Sequence, residues 1–77
     1  MQEFEINIHS FQQVQDFVAL ACDQKFDIHV GNEHQHINGK DLMGMFSLDF
    51  SRPLQVQINC EDEAVQAFRA QVEAAFS

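Results

Sequence analysis

An α+β domain with an open-faced two-layer architecture is what the 77-residue sequence predicts: an antiparallel four-stranded sheet with helices on one face, in the order β-α-β-β-α-β-α. Three observations lead there. Three longer segments alternate apolar and polar side chains with a period of two. Two others carry a single apolar stripe at helical spacing. The polar faces of the strands, Glu3, Glu5, Asn7, Asp27, His29, Gln55, Gln57 and Asn59, leave solvent as the cover for the second side of the sheet, which antiparallel sheets tolerate. Helices on one side then satisfy every apolar face.

Phe4, Ile6 and Ile8 alternate with Glu5 and Asn7, predicting a first strand over residues 4–8. Ser10 opens Ser-Phe-Gln-Gln, a capping box in which the serine oxygen and the Gln13 side chain satisfy free amides at a helix start. Phe11, Val14, Phe17, Val18 and Ala21 recur at helical spacing behind it and predict a helix over 11–22. Phe26, Ile28 and Val30 then alternate with Asp27 and His29, and Gly31-Asn32 is a tight-turn pair that reverses the chain into a short strand around His34 to Ile37. After Asn38-Gly39, residues 41–47 form a short helix whose Leu42, Met43, Met45 and Phe46 occupy more faces than one core contact needs, so some are exposed. Ser51-Arg52-Pro53 ends that stretch before Leu54, Val56 and Ile58 alternate with Gln55, Gln57 and Asn59, with Cys60 continuing the inner side. From Asp62 to Phe76, Val65, Phe68, Val72, Ala75 and Phe76 mark a closing helical stripe, with Glu61, Asp62 and Glu63 at the positive end of its dipole.

A chain of this length makes one domain, residues 1–77, and buries only about 60% of its extended-chain surface. It contains no run of about 18 apolar residues, and Met-Gln-Glu-Phe-Glu lacks the basic and hydrophobic regions of a signal peptide, so a soluble cytoplasmic protein is expected. Twelve acidic residues against four basic ones give a formal charge of −8, which repels phosphate backbones and anionic lipid heads. Neither nucleic acid nor a membrane is an expected partner. Cys22 and Cys60 are too few and too far apart for a disulfide framework and are expected to be small buried hydrophobes.

Catalytic signatures are equally sparse. No Gly-rich phosphate loop, H-E-x-x-H helix or nucleophile elbow occurs, and Glu61, Asp62 and Glu63, being consecutive, point away from one another on a helix. Without tryptophan or tyrosine the chain also lacks the usual platforms for bases or sugars. No enzymatic activity and no cofactor are expected. Glu33-His34-Gln35-His36 places two imidazoles on one strand face at a spacing that can chelate zinc, with His29 approaching across the hairpin. A zinc site wants three or four ligands, and the competing reading is solvated side chains on an edge arm.

Residues 38–50, Asn-Gly-Lys-Asp-Leu-Met-Gly-Met-Phe-Ser-Leu-Asp-Phe, resemble the second-helix segment of the HPr phosphocarriers, N-[AG]-K-S-[IL]-[ML]-[GE]-[VLM]-[ML]-x-L. The element order, the strand after a glycine turn and the acidic start of the closing helix are similar too. The resemblance covers nearly the whole chain and implies an HPr-like open-faced β-sandwich. In that family a histidine at the start of the first helix accepts a phosphoryl group from an upstream enzyme and passes it to sugar-transport components, and the serine of the second-helix segment is a regulatory phosphorylation site.

Two departures follow from the alignment. Asp41 occupies the regulatory serine's place, and the catalytic sequence G-[IL]-H-A-R-P-A has no counterpart. Matching Phe17-Val18 to the family's Phe-Val puts Ser10 at the phosphoacceptor position, Gln12 at the arginine and Gln13 at the proline, behind a shorter loop. The imidazole and the guanidinium that would hold phosphate charge at a helix start are thus both missing. A histidine from elsewhere in the fold, backed by Arg52 or Arg69, would have to lean over that helix mouth to restore the chemistry.

The resemblance therefore implies an HPr-like domain of the phosphoenolpyruvate-dependent sugar phosphotransferase system family that lacks phosphocarrier activity and acts by protein contact or regulation. Its implied partner is a phosphotransferase-system component or a transcriptional regulator, and the domain itself a monomer or weak dimer. Leu42, Met43 and Phe46 are the expected interface, since methionine-rich patches repack readily, with Met45 and Leu48 in the core. Asp41, the regulatory-site equivalent, would mimic a permanently modified state with less than the charge of about −1.5 to −2 on a phosphate, and it also suits a helix cap. Two alternatives stand beside this: a phosphocarrier of altered chemistry using His9 or Ser10, and a metal-binding module built on His34 and His36.

Overall fold

The computed structural model of the chain describes residues 2–60 and 63–76. Seven elements follow in the predicted order: β1 (Gln2–Ile6), α1 (Phe11–Cys22), β2 (His29–Gly31), β3 (His36–Asn38), α2 (Leu42–Met45), β4 (Leu54–Ile58) and α3 (Glu63–Phe76). The strands form one sheet in the spatial order β1-β4-β2-β3, and every neighbouring pair is antiparallel. This is the α+β open-faced architecture that the alternation and the helical stripes predict.

Period-two alternation sorts the side chains to the two faces of that sheet. Phe4 lies opposite Val56, Val56 opposite Val30, and Val30 opposite Ile37, so one continuous apolar row crosses all four strands beneath the helices. The neighbouring rows, Glu3-Gln57-His29-Asn38 and Glu5-Gln55-Gly31-His36, face away. Their β1 end is laced by side-chain amides, Gln55 Nε2 donating to Glu5 at 3.2 Å and Gln57 Nε2 to Glu3 at 3.3 Å. Above the apolar row, Phe17 of α1 meets Phe68 and Phe76 of α3 edge-on, with ring centroids 6.1 Å apart in both pairs, and Phe26 adds a further edge contact to Phe68 at 5.9 Å. Such pairs add roughly 0.5–1.5 kcal/mol each beyond the area they bury.

Several boundaries depart from expectation for identifiable reasons. β1 ends at Ile6, not at residue 8, because its partner β4 begins at Leu54 and the preceding Pro53 has no N–H to extend the ladder. Ile8 is still buried, just beyond the strand. The hairpin reverses at residues 32–35, not at Gly31-Asn32. Asn32 donates its backbone N–H to the Gln35 carbonyl at 2.9 Å, and its side-chain oxygen accepts from the amides of His34 and Gln35. β3 accordingly starts at His36 and leaves His34 in the loop. Gly31 is paired within β2, opposite His36, and its backbone is not left-handed. Glycine is required there because a Cβ would lie 1.9 Å from the Gln35 carbonyl oxygen.

Three expected core residues lie outside the core. Phe11 is 72% exposed, since Val14, Phe17, Val18 and Ala21 already complete the buried stripe of α1. Ala75 is exposed, the last turn of α3 making its core contact through Phe76. Cys22, on the last turn of α1, is exposed beside the Lys40 carbonyl, whereas Cys60 is half-buried against the core. Glu61 and Asp62, expected at the mouth of the closing helix, lie outside the described residues. No helix among the described residues is long and apolar enough to cross a membrane.

Gly31→Ala should lower stability by about 1–3 kcal/mol, the usual range for a forced overpacking, because the clash is with backbone that cannot swing aside. Urea unfolding checks this. A neutral outcome would mean that the hairpin loop yields freely.

Candidate functional site

The start of α1 is closed by its own side chains. Ser10 is the N-cap in extended conformation, and its Oγ accepts from the Gln13 amide at 3.2 Å. Gln13 reaches back, its Oε1 accepting from the His9 amide at 2.6 Å. The Ser10 half of the predicted capping box is present, while the return bond of Gln13 goes to the amide one residue before the cap. Of the amides at the head of α1 these bonds take up that of Gln13, the His9 amide lying one residue before the cap. Gln12 turns along the helix and donates to Asp16, a carboxylate one turn away, at 3.0 Å.

Neither arginine reaches this mouth. The Nε of Arg69 pairs with Glu73 at 2.8 Å, its Nη1 donates to Gln2 at 3.4 Å, and its guanidinium covers the Phe4 ring at 5.2 Å. Arg52 lines a separate depression with Glu5, Asn32, Glu33, His34, Asp49, Pro53 and Gln55. There the Ser51 hydroxyl and backbone N–H donate to Asp49 at 2.6 and 2.9 Å and hold its carboxyl below the usual range, with Arg52 adding to the effect. His9 and Ser10 are both exposed at the helix mouth. They line an open groove with Ile8, Phe11 and Phe50, into which no Lys or Arg among the described residues enters.

Beside this groove is an apolar surface. The Phe11 ring meets that of Phe46 edge-on, with centroids 5.5 Å apart and planes at 80°. Met43 is 76% exposed and Phe46 is 37% exposed, whereas Leu42 is only partly so and packs on the core. Met45 and Leu48 are buried. Of the three residues expected at the surface, Met43 and Phe46 thus project, and Phe11, assigned to the core from its spacing, stands with them. A cue to Phe11 was its place directly after the cap, one turn ahead of an already complete stripe. Its pairing with Phe46 is a long-range contact that no local pattern encodes.

Asp41 caps α2, its Oδ1 accepting from the Met43 amide at 3.1 Å, and its side chain remains exposed. Ser47 donates to the Gly44 carbonyl and accepts from the Gln35 side chain at 3.0 Å, which ties the end of α2 to the hairpin loop. Of the candidate metal ligands, His34 sits in that loop and His36 in β3, so they do not share a strand. His29 and His36 are diagonal neighbours on the open face. No group of three or more His, Cys, Asp or Glu among the described residues could hold a metal ion.

Comparison with known proteins places this arrangement. The family described as PTS HPr component phosphorylation site matches residues 8–77. No curated protein matches the sequence. Among solved structures, HPr-C-His from Thermoanaerobacter tengcongensis is similar with a TM-score of 0.74 and 26% identity, over 96% of this chain and 93% of that one. A phosphocarrier protein HPr from Bacillus anthracis str. Ames aligns with a TM-score of 0.68 and 20% identity, over 92% of this chain and 95% of that one, a likeness of fold.

Ser10→Ala should cost about 1 kcal/mol of stability and Ser10→Asp much less, as for other N-caps, measured by chemical denaturation. Acid titration should separate Asp49→Asn from the parent chain. The folded carboxyl titrates below its unfolded value, so its contribution is present above the ordinary carboxyl pKa and disappears as the pH falls through the lowered one. The stability gap between the two proteins should close over that acidic window, and a gap independent of pH would show that Asp49 acts through geometry alone.

Proposed function

Since the chain belongs to the HPr-like phosphocarrier family of the phosphotransferase system, we propose that it has retained the family's use of an apolar helix surface for protein contact and has given up the seat for a phosphoryl group. Members of the family carry a phosphoryl group and are not enzymes in the ordinary sense. In this chain the role that remains is regulatory or scaffolding, exercised in the cytoplasm on a phosphotransferase-system component or a transcriptional regulator.

The observation that carries the proposal is that no Lys or Arg among the described residues lines the helix mouth at His9 and Ser10. A phosphorylated side chain needs free amides and a cation around its charge. Here Gln12 serves Asp16, Arg69 pairs with Glu73, and Arg52 lines a separate depression beside Asp49. His9, the nearest imidazole, has its backbone held by Gln13 and no Lys or Arg lining its groove. Phe11 follows Ser10 where the family motif has alanine, and it exposes a ring at the helix mouth. Asp41 supports the same direction. A fixed carboxylate at the regulatory position removes control by a serine kinase and holds that helix end in one charge state.

The competing reading is phosphotransfer through His9 or Ser10. Incubation with phosphoenolpyruvate and the general phosphotransferase enzyme, with an active HPr in a parallel tube, should leave this chain's intact mass unchanged while the control is modified. A stoichiometric adduct mapped to His9 or Ser10 would overturn the proposal.

A further inference from the structure

We propose that the surface formed by Phe11, Met43 and Phe46 receives a basic amphipathic segment of its partner, a helix whose apolar stripe is flanked by lysines or arginines. This rests on the contact role proposed above and adds the chemistry of what is contacted.

The apolar half of the argument is geometric. Phe11 and Met43 project from two different helices, and Phe46 bridges them by its edge contact with Phe11. The groove lined by Ile8, His9, Ser10, Phe11 and Phe50 runs alongside. Two protruding side chains beside a groove with three apolar walls suit an occupant that brings anchors at successive helical turns, the i, i+3 or i+4 pattern by which amphipathic helices dock. The unbranched Met43 adapts to whichever anchor arrives.

The basic half follows from where the charges are. The sequence holds four Lys and Arg against twelve Asp and Glu, and each of the four cations is placed away from this surface. Lys40 Nζ donates to the Gln24 carbonyl at 2.8 Å, and Lys25 lines a groove with Asp23, Phe26 and Cys60. Arg69 lies over Phe4 and pairs with Glu73, and Arg52 lines the depression with Glu33 and His34. Asp41, in contrast, is exposed at the helix start from which Met43 projects. An approaching partner therefore meets an apolar surface with a carboxylate beside it, in the field of a molecule at −8. That field speeds the encounter with cations and repels anions. The exposed ring of Phe11 offers a further seat for a guanidinium or ammonium. A second copy of this chain is disfavoured for the same reason, since it would bring an equal charge and a second Asp41 to the contact.

The test uses two synthetic helical peptides that share one Leu/Ile stripe and differ only in a polar face of lysines or of glutamates. Titrations are followed by calorimetry and by backbone amide shifts at low and at high salt. The lysine peptide should bind, shift the amides of residues 11, 43 and 46, and weaken by about tenfold or more on going to high salt, while the glutamate peptide gives no saturable heat. The double variant Phe11→Ser/Met43→Ser alters only exposed side chains, should keep its far-ultraviolet circular dichroism, and should bind the lysine peptide at least about tenfold more weakly. Equal binding of the two peptides would overturn the choice of a basic partner and leave the contact surface standing. Lysine-peptide shifts elsewhere on the molecule, undiminished binding by the double variant, or no binding by either peptide would overturn the docking site itself. The phosphoryl-adduct experiment remains the separate measure of lost carrier chemistry.

Discussion

β4 is the strand on which the sheet depends. It is inserted between β1 and β2 and pairs antiparallel with both, so β1 joins the sheet through residues 54–58 alone. Register is the constraint here. A slip of one residue would put Gln55 and Gln57 under the helices and Val56 in water. The row from Phe4 through Val56 and Val30 to Ile37 is continuous only in the register observed, and the aromatic cluster of Phe17, Phe68, Phe76 and Phe26 rests on the layer it makes. Pro53 sets one limit of that register by ending the ladder where β1 ends.

From that platform the two helix starts acquire their meaning. Each is closed by a side chain of its own, Ser10 on α1 and Asp41 on α2. In a phosphocarrier the first of these positions has to remain open to an incoming anion, because unpaired amides and a nearby cation are what stabilise the transferred charge. A side-chain cap stabilises a helix start and takes up an amide there, as the Ser10 hydroxyl does with that of Gln13.

The surface beside it has the opposite character. Phe11, Met43 and Phe46 leave apolar area in water that a chain with a small core could have used inside. The core is nevertheless full without them: Val14, Phe17, Met45 and Leu48 occupy the inward positions of the same two helical segments. Exposed apolar side chains grouped across two helices, with a carboxylate and no cation beside them, form a surface whose properties differ from the rest of a strongly acidic molecule.

The sequence by itself determined the element order, the open face, the caps at Ser10 and Asp41 and most of the core. All of these are encoded within a few residues, by periodicity or by hydrogen bonds spanning three or four positions. The exposure of Phe11, the true turn at residues 32–35, the separation of His34 from β3 and the distance of both arginines from the helix mouth were decided only by the tertiary structure. Phe11 shares the helical spacing of Val14, and its contact with the Phe46 ring, 35 positions further along the chain, is set by the packed fold. Gly31 looked like the reversal because glycine favours turns, yet its role is set by the approach of the Gln35 carbonyl across the hairpin. Spacing along a chain records which side chains can share a face, and only the packed fold records which of them the neighbouring elements leave uncovered.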